Sequence, residues 1–347
     1  MKKTKILVLE GDGIGPEVTS CAVEILNLLN QKFELGIEIE RDYIGGVCID
    51  KFGVPIRKET IEKAVKYGIV LLGAVGGPKW EKNQVRPEQG LLELRKKMGV
   101  FANIRPIFDL PVKSNKTNTQ FNILFVRELT GGIYFGKKKI YQSAKGKVAI
   151  DVLKYTDQEI RRVVKIAFEF ARQRKKFLVS VDKANVLASS KLWREVVNEV
   201  SKEYEDVKVE HHLVDSFAMN LILKPWYFDV VVTENLFGDI LTDEAAVLVG
   251  SIGLLPSASI SSRRALYEPI HGSAPDIAGQ NKANPVGAIL SLGLMFKYSL
   301  NNDHIYDLIY RAVIKTLSRG YFTFDLSPNN YLSTWEFTQR VISNLET

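Results

Sequence analysis

The stretch KILVLEGDGIGP, residues 5–16, decides the class of fold. Residues 6–9 are apolar, and a short apolar run that ends at a turn signal is typical of a buried strand. The glycines at 11, 13 and 15 predict a tight turn in which the backbone approaches its neighbours closely. Pro16 suits the first position of a helix, so we expect a helix directly after the turn. A strand, a glycine-rich turn and a helix in this order indicate an α/β fold.

The glycine-rich turn lacks the spacing of a Rossmann dinucleotide-binding motif. That motif places two residues before its third glycine, whereas only Ile14 separates Gly13 from Gly15. We therefore infer no Rossmann site from this turn.

The rest of the chain alternates short β-like runs with amphipathic stretches, which extends the α/β pattern. Asn284 followed by Pro285, and Ser333 three residues before Glu336, are helix-start signals. Strands are predicted at 5–9, 37–42, 69–74, 121–127, 177–181 and 228–233. Helices are predicted at 16–30, 60–67, 91–98, 157–174, 190–204, 239–249, 285–300, 305–317 and 334–344.

Length and composition exclude several classes of protein. A chain of 347 residues predicts two domains or one large α/β unit, and a hydrophobic fraction of 46% excludes a disordered chain. No apolar run approaches the roughly 20 residues of a membrane helix, and the run at 6–9 is too short for a signal peptide. Cys21 and Cys48 cannot form a disulfide framework or a zinc site of the usual spacing, so a reducing cytoplasm is predicted.

The formal net charge of +7 suits either a nucleic acid or an anionic small molecule as partner. Basic residues cluster at 137–139 and 172–176, and no aromatic residues interleave with them as single-strand binders require. We interpret both clusters as solvated faces and predict no nucleic-acid partner.

Two aspartates in the stretch 234–243 are candidates for a metal site. Asp239 and Asp243 are four residues apart, so on a helix they share one face. Two like charges there destabilise the helix unless a cation compensates, and oxygen ligands suit Mg²⁺ or Mn²⁺. A solvated helix start, where acidic residues are favoured by the helix dipole, explains the pattern equally well.

Three arginines, Arg95, Arg105 and Arg127, lie beside predicted strand or helix ends. If their guanidinium groups converge, they can bind carboxylates in a bidentate manner. Leu91 precedes Arg95 by one helical turn, so one helix could offer an apolar patch next to an arginine that binds a carboxylate. Three unrelated surface arginines remain the alternative.

Two stretches carry candidates for proton transfer. Lys183 and Asn185 follow a predicted strand, where ligands bind in α/β sheets, although an exposed lysine is the simpler interpretation. Tyr134 lies among glycines and could be an acid or a packing residue.

In the stretch 268–285, small residues allow a loop to wrap a ligand, and Asp276 could accept hydrogen bonds from a ribose. His271 alone reads more simply as a packed or surface histidine.

Several longer motifs of the chain together resemble one enzyme family. These motifs are GDGIGPEV at 11–18, GGPKW at 76–80, MGVFANIRP at 98–106, VRELTGGIYFG at 126–136, VDKANVL at 181–187, NLFGDILTDEAA at 235–246, GLLPSAS at 253–259 and HGSAPDIAGQNKANP at 271–285. They resemble the 3-isopropylmalate dehydrogenases within the isocitrate and isopropylmalate dehydrogenase family, from Lys5 to about Asn344.

The resemblance implies a two-domain α/β fold with a non-Rossmann nucleotide site. Residues 1–99 and 251–347 would form the nucleotide-side domain, and residues 100–250 the dimerising domain, which also holds metal and substrate. The implied reaction is NAD-dependent oxidation and decarboxylation of 3-isopropylmalate to 2-oxoisocaproate, a step of leucine synthesis. The implied assembly is a homodimer whose two chains share each active site.

The resemblance also implies a role for each candidate residue. Substrate carboxylates would be bound by Arg95, Arg105 and Arg127, and the isopropyl group by Leu91, Leu92 and Val186. The divalent metal would be held by Asp239, Asp243 and the partner subunit's Asp215, which also faces the substrate. The catalytic residues would be Lys183 from the partner subunit, for the hydroxyl proton, and Tyr134, which protonates the enol. NAD would be surrounded by Ile14, Glu88, Asn185, Glu268, His271, Gly272, Ala274, Asp276 and Asn284.

Other substrates and other classes of function compete with this prediction. Isocitrate relatives carry hydroxyl and amide side chains where this chain has Leu91 and Leu92, and a third carboxylate against leucines would be costly to desolvate. Homoisocitrate and tartrate oxidation remain alternatives. A non-catalytic regulatory subunit and a nucleic-acid binder are alternatives from other classes, and the set of arginines, tyrosine, lysine and three aspartates argues against a subunit without activity.

Overall fold

The computed structural model describes residues 4–112 and 120–345. These residues form two compact units, which are described separately. Unit 1 contains 4–100, 109–112 and 246–345, and unit 2 contains 101–108 and 120–245.

Unit 1 is built on five strands in the order β2-β1-β3-β12-β11. The pairs β1–β2, β1–β3 and β3–β12 are parallel, and β11–β12 is antiparallel. Its elements are β1 (Thr4–Gly11), α1 (Gly15–Lys32), β2 (Ile37–Asp42), α2 (Gly46–Phe52), α3 (Lys58–Tyr67), β3 (Ile69–Ala74), α4 (Pro87–Met98), β11 (Pro256–Ile260), β12 (Ala265–Pro269), α9 (Val286–Tyr298), α10 (Asp303–Ser318) and α11 (Thr334–Asn344).

Unit 2 repeats this plan with the strand order β4-β5-β10-β8-β9 and a separate hairpin of β6 and β7. The pair β4–β5 is antiparallel, and β5–β10, β10–β8 and β8–β9 are parallel. Its elements are β4 (Ala102–Phe108), β5 (Asn122–Glu128), β6 (Lys138–Ser143), β7 (Gly146–Asp151), α5 (Asp157–Arg172), β8 (Phe177–Asp182), α6 (Ala188–Ser201), β9 (Lys208–Leu213), α7 (Val214–Leu223), β10 (Val230–Thr233) and α8 (Asn235–Val249), which belongs to this unit up to residue 245.

Apolar sequence runs form the interior of each unit. Every residue of β3 and of β10 is buried, as expected for central parallel strands covered on both faces. Residues 286–296 of α9 are buried on all sides, which explains why this helix is apolar without a polar face. None of the described helices is long and apolar enough to cross a membrane.

The turn at residues 11–16 shows why glycine is needed there. Gly11 and Gly13 have φ angles of +75° and +57°, and a Cβ atom on Gly13 would lie 1.9 Å from the carbonyl oxygen of Ser273. The carboxylate of Asp12 accepts hydrogen bonds from the backbone N–H groups of Gly46, Val47 and Gly76, at 2.8, 2.8 and 2.9 Å. Asp12 therefore joins the turn to the segments that follow β2 and β3.

The helix-start predictions are largely confirmed. Pro16 lies in the first turn of α1, and Ser333 and Glu336 form a reciprocal capping box at the start of α11. The Oδ1 atom of Asn284 accepts a hydrogen bond from the N–H of Val286 at 3.0 Å, although α9 begins one residue later than predicted, at Val286.

Candidate active site

The end of β5 places Arg127 inside unit 2, where it is almost fully buried. Its Nε and Nη2 atoms donate to Oδ1 of Asn235, at 3.1 and 2.7 Å. Its Nη1 atom donates to Oδ1 of Asp239. Two side chains of α8 thus fix the plane of this guanidinium group.

Arg105 reaches the same helix from the neighbouring strand β4. Its Nε atom donates to Oδ1 of Asn103 at 2.7 Å, and its Nη1 atom donates to the hydroxyl of Thr242. Its guanidinium nitrogens lie 3.4 Å from Asp239 and 3.9 Å from Asp243. Two of the three predicted arginines therefore meet both predicted aspartates within one unit.

Tyr134 joins this cluster from the glycine-containing loop after β5. Its hydroxyl donates a hydrogen bond to Oδ2 of Asp239 at 2.8 Å. Burial, together with the negative charge of Asp239, raises the pKa of Tyr134 to about 12, so the side chain is a protonated phenol at neutral pH. The structure thus shows Tyr134 as a hydrogen-bond donor directed at the predicted metal ligand.

Asp239 and Asp243 lie one turn apart on α8, as their spacing predicts. Burial raises the pKa of Asp243, the charge of Asp239 raises it further, and Arg105 and Arg127 oppose the shift. The two carboxylates fit a hard divalent cation in donor type and in their mutual repulsion. Among the described residues, no three His, Cys, Asp or Glu side chains lie together so that they could hold a metal ion. One chain therefore supplies two of the three predicted ligands.

Lys183 and Asp215, the residues predicted to serve a second chain, are in contact with each other. Lys183 follows β8 and Asp215 lies in the first turn of α7, and Nζ of Lys183 donates to Oδ1 of Asp215 at 2.6 Å. This hydrogen bond lowers the pKa of Asp215, whose side chain is 63% exposed. The turn before Lys183 is held by Asp182, which accepts a hydrogen bond from Ala184 N and two from Arg194.

In unit 1 the third arginine, Arg95, contacts Glu268. The sequence predicts Arg95 at the substrate and Glu268 at NAD. Nη2 of Arg95 donates to Oε1 of Glu268 at 2.6 Å, and both side chains are largely buried. Leu91 and Leu92 are half-buried on the same helix, and Leu91 packs against the core around Leu94 and Met98. Val186, on unit 2, is 66% exposed and available to a ligand.

Two loops of the predicted nucleotide site lie together in unit 1. The N–H of Ile14 donates to the carbonyl oxygen of Ser273 at 2.8 Å, and the N–H of Gly279 donates to the Glu17 carboxylate. His271 is buried, its Nδ1 atom contacts the carbonyl oxygen of Gly272 at 2.9 Å, and its Nε2 atom has no hydrogen-bond partner among residues 4–112 and 120–345. A buried, unpartnered ring nitrogen fits a polar ligand such as a nucleotide.

The remaining predicted nucleotide ligands differ in their exposure and contacts. Ala274 is half-buried with a positive φ of 35°, while Gly272 and Asp276 are exposed. Asn284 donates to Oδ2 of Asp325 at 3.0 Å. Glu88 is exposed in the first turn of α4, and Asn185 is exposed on unit 2.

Sequence reasoning missed the side chains that hold the predicted ones. Asn235 anchors Arg127, Thr242 anchors Arg105, and neither residue type signals chemistry by its spacing. Both do lie in the motif 235–246, so a search for polar residues beside the two aspartates would have found them.

Comparisons with known proteins give the family context of this cluster. The family model described as isocitrate/isopropylmalate dehydrogenase matches residues 5–341. A 3-isopropylmalate dehydrogenase of Pseudomonas putida is 51% identical over 333 residues, which is 93% of this chain and 92% of that protein. A 3-isopropylmalate dehydrogenase of Aquifex aeolicus is 47% identical over 357 aligned positions, covering 100% of this chain and 98% of that protein.

Solved structures with the same fold include enzymes with other names. An isocitrate dehydrogenase from Methylococcus capsulatus has a TM-score of 0.90 at 31% identity, and 99% of each chain is covered. A beta-decarboxylating dehydrogenase from Thermococcus kodakarensis has a TM-score of 0.82 at 38% identity, covering 99% of this chain and 96% of that one.

Proposed function

The chain belongs to the isocitrate/isopropylmalate dehydrogenase family, and we propose that it oxidises and decarboxylates 3-isopropylmalate with NAD. The products are 2-oxoisocaproate, CO₂ and NADH, and the reaction is a step of leucine synthesis. The supporting observation is the cluster in which the buried Arg105 and Arg127 and the half-buried Tyr134 all contact Asp239.

The two buried arginines suit the anionic groups of a dicarboxylate. Asn235, Asn103 and Thr242 orient their guanidinium groups through neutral side chains, and Asp239 contacts both arginines from α8. Guanidinium groups in a site shielded from water bind carboxylates with geometry as well as charge. Arg95 on unit 1 is the third proposed carboxylate ligand, and Glu268 holds its side chain.

Proton movements are assigned to Tyr134 and to the partner subunit's Lys183. Lys183 takes the proton of the substrate's C2 hydroxyl while the C2 hydride leaves. The β-keto acid then loses its C3 carboxylate as CO₂, and Tyr134 donates its phenolic proton to C3 of the enol. The hydroxyl of Tyr134 is a donor in the structure, directed at Asp239, which fits this role.

The residues also fit the two proposed cofactors, NAD and a divalent cation. The aspartate pair on α8 offers oxygen ligands, and the unpartnered Nε2 atom of His271 offers a polar contact in the nucleotide region. When bound, NAD accepts the hydride and a divalent cation, Mg²⁺ or Mn²⁺, lowers the pKa of the hydroxyl and stabilises negative charge on oxygen. We propose Ile14, Glu88, Glu268, His271 and Asp276 among the NAD ligands, together with Asn185, Gly272, Ala274 and Asn284.

The substrate's branched side chain distinguishes 3-isopropylmalate from isocitrate. Leu91 and Leu92 offer apolar surface beside Arg95, and Val186 is exposed. An isopropyl group gains from burial against such side chains, whereas a third carboxylate would lose its hydration without a partner. Isocitrate is the second candidate substrate, because an isocitrate dehydrogenase shares the fold at a TM-score of 0.90.

We propose a homodimer with shared sites. One chain brings together Asp239 and Asp243 on α8. Asp215 is exposed next to Lys183, so a second copy can supply these two residues to the neighbouring site. Unit 2 also exposes the large apolar side chains of Met219 and Leu223 on α7 and Ile240 on α8. Such surface on two helices fits a self-complementary interface between copies.

A nucleic-acid partner fits the structure poorly. In the basic cluster 172–176, Arg172 and Lys176 form ion pairs with Asp206, and Arg174 pairs with Asp229. This arrangement supports the interpretation of a solvated face.

We propose a cytoplasmic location, supported by Cys21 and Cys48, which are free thiols buried in unit 1.

The test is NADH production, followed by absorbance, with 3-isopropylmalate, isocitrate, homoisocitrate and tartrate as parallel substrates. We expect kcat/KM for 3-isopropylmalate to exceed each of the others at least tenfold, the size of effect for a few buried methyl groups. A higher kcat/KM for isocitrate would replace the proposed substrate. No NADH from any of the four would overturn the proposed function.

A further inference from the structure

A tyrosine and a glutamate outside the proposed catalytic set are buried directly behind it. Tyr155 lies between β7 and α5, and Glu234 immediately precedes α8. The hydroxyl of Tyr155 donates to Oε2 of Glu234 at 3.2 Å and accepts a hydrogen bond from the N–H of Asn235 at 3.0 Å. Only 5% of Glu234 and 8% of Tyr155 is exposed to solvent.

Glu234 also caps the helix on which the site is built. Its Oε1 atom accepts a hydrogen bond from the N–H of Phe237 at 3.1 Å, and the N–H of Leu236 also bonds to the carboxylate. A carboxylate at a helix start is stabilised by the unpaired N–H groups and by the helix dipole. Burial nevertheless raises the pKa of Glu234, because it removes water from the charged form. The contacts of Glu234 therefore offset a considerable desolvation cost.

Tyr155 contacts the loop 130–134, which carries Tyr134, as well as the start of α8. A Cβ atom on Gly132 would lie 2.4 Å from the Tyr155 hydroxyl, so this glycine lets the loop before Tyr134 lie directly on the phenol. Nδ2 of Asn235 donates to the carbonyl oxygen of Gly131 at 3.1 Å, and Oδ1 of Asn235 holds Arg127. The phenol of Tyr155 thus adjoins the loop that brings Tyr134 to Asp239 and the helix start whose Asn235 holds Arg127.

We propose that Tyr155 and Glu234 are positioning residues: together they fix the first turn of α8 and the loop 130–134, and so hold Arg127 and Tyr134 against Asp239. Their effect on catalysis rests on the proposed function. Removing the Tyr155 hydroxyl leaves the N–H of Asn235 and one oxygen of Glu234 buried without their partner. The first turn of α8 then shifts or loosens, and the geometry at Asp239 changes with it.

The test compares two tyrosine-to-phenylalanine variants of the full-length chain. Tyr155→Phe removes the hydroxyl in question. Tyr204→Phe is the matched control, because Tyr204 is also buried in unit 2 and its hydroxyl also donates to a glutamate, Oε1 of Glu169, at 2.8 Å. Both variants are assayed for Tm, for kcat and KM with 3-isopropylmalate and NAD, and for hydrogen exchange of the backbone amides at 235–239.

For Tyr155→Phe we expect kcat/KM for 3-isopropylmalate to fall tenfold or more, on the scale of a small misplacement of reacting groups. The KM for NAD should stay within about twofold, since most of its proposed ligands lie in unit 1, and amide exchange at 235–239 should accelerate. Tyr204→Phe should lower Tm by a similar amount and leave the kinetics and this exchange unchanged. Equal behaviour of the two variants would overturn the proposal.

A second variant covers the case in which Tyr155→Phe does not fold. Glu234→Gln keeps the shape and the oxygen that caps Phe237, but its amide nitrogen cannot accept from Tyr155. We expect the same direction of change as for Tyr155→Phe, and wild-type kinetics and exchange would contradict the proposal. The exchange measurement needs no substrate, so it decides the positioning role even if 3-isopropylmalate is not the substrate.

Discussion

The phenol of Tyr134 donates its hydrogen bond to Asp239, the same carboxylate that Arg127 and Arg105 contact. Asp239, itself a proposed metal ligand, therefore connects a proton donor with the two arginines that are proposed to bind the substrate's carboxylates. Three groups that converge on one carboxylate make its charge and its geometry decisive for the reaction.

Asp239→Asn should lower kcat at least 100-fold, because an amide of the same shape carries no charge for a divalent cation or for the two arginines. Mn²⁺ binding, measured by titration calorimetry, should weaken in parallel. Asp206→Asn is the control. Asp206 also pairs with two basic side chains in unit 2, Arg172 and Lys176, but these belong to the basic cluster 172–176 and not to the candidate site. Wild-type Mn²⁺ affinity in Asp239→Asn would contradict the metal assignment.

Mixed dimers test whether Lys183 serves the other chain. In a dimer of one Lys183→Ala chain and one Tyr134→Phe chain, both lesions fall in one site if Lys183 crosses over, and the other site is intact. Random exchange of equal amounts should restore roughly a quarter of wild-type activity, since half of the dimers are mixed and each has one good site.

The matched control for this exchange uses two residues that the structure places in contact on one chain. Mixing Asp239→Asn with Tyr134→Phe should restore nothing, because Asp239 and Tyr134 are hydrogen-bonded within a single chain and each site keeps one lesion. No recovery with Lys183→Ala despite verified exchange would rule out the shared site. Recovery in the control would contradict the placement of Asp239 and Tyr134 in one site.

Local patterns predicted much of the fold. The bounds of β2, β3 and α11 are as predicted. Those of β3 and α11 follow from an apolar run between turn signals and from a capping box, which are properties of neighbouring residues. The predictions omitted the buried strands β4, β11 and β12 and the helices α2 and α7. They also omitted β6 and β7, which are largely exposed and rich in lysine, and the edge strand β9, which reads KVEHHL. Such strands are determined by pairing with a partner strand, which a single stretch of sequence does not reveal.

The candidate site divides in the same way. That Asp239 and Asp243 share a helix face follows from their spacing alone. The contact of Arg127 with Asn235 joins residues 108 positions apart, and that of Arg95 with Glu268 joins residues 173 positions apart, so both depend on the tertiary fold. Motif spacing therefore predicted the residue types of the site, while their partners required the structure.

We expect NAD to be preferred over NADP on the order of 100-fold in kcat/KM, because the exposed carboxylate of Asp276 would repel a 2′-phosphate. Asp276→Asn should reduce this preference, and Asp307→Asn, which removes another exposed carboxylate of unit 1, should not. Equal efficiency of the wild-type enzyme with both cofactors would contradict the role of Asp276.

The buried His271 should make the protein less stable in mild acid. Burial lowers the pKa of His271 below its ordinary value of 6.5, so the unfolded chain binds a proton that the folded chain does not. Its contribution to stability is therefore present above about pH 6.5 and is lost as the pH falls toward the lowered folded-state pKa. His271→Phe removes this term, so its urea-unfolding free energy should decline less than that of wild type between pH 7.5 and 5.5. Parallel decline of the two proteins would contradict the prediction.

Substrate choice should depend on the two leucines one turn before Arg95, and the structure separates their roles. Leu91 packs against the core of unit 1, whereas Leu92 is half-buried outside that core. Burial of an isopropyl group against such side chains contributes on the order of 2 kcal/mol. Leu91→Ala should therefore lower kcat/KM for 3-isopropylmalate roughly tenfold and also lower the free energy of unfolding by about 1–2 kcal/mol. Leu92→Ala should lower kcat/KM with little change in stability.

Malate, which lacks the branched group, is the control substrate for both leucine variants. Because malate never fills the apolar pocket, its kcat/KM should change much less than that of 3-isopropylmalate. Equal losses with the two substrates in Leu91→Ala would mean that Leu91 acts only through packing. Equal losses in Leu92→Ala as well would place the isopropyl pocket elsewhere, since neither leucine would then distinguish a branched from an unbranched substrate.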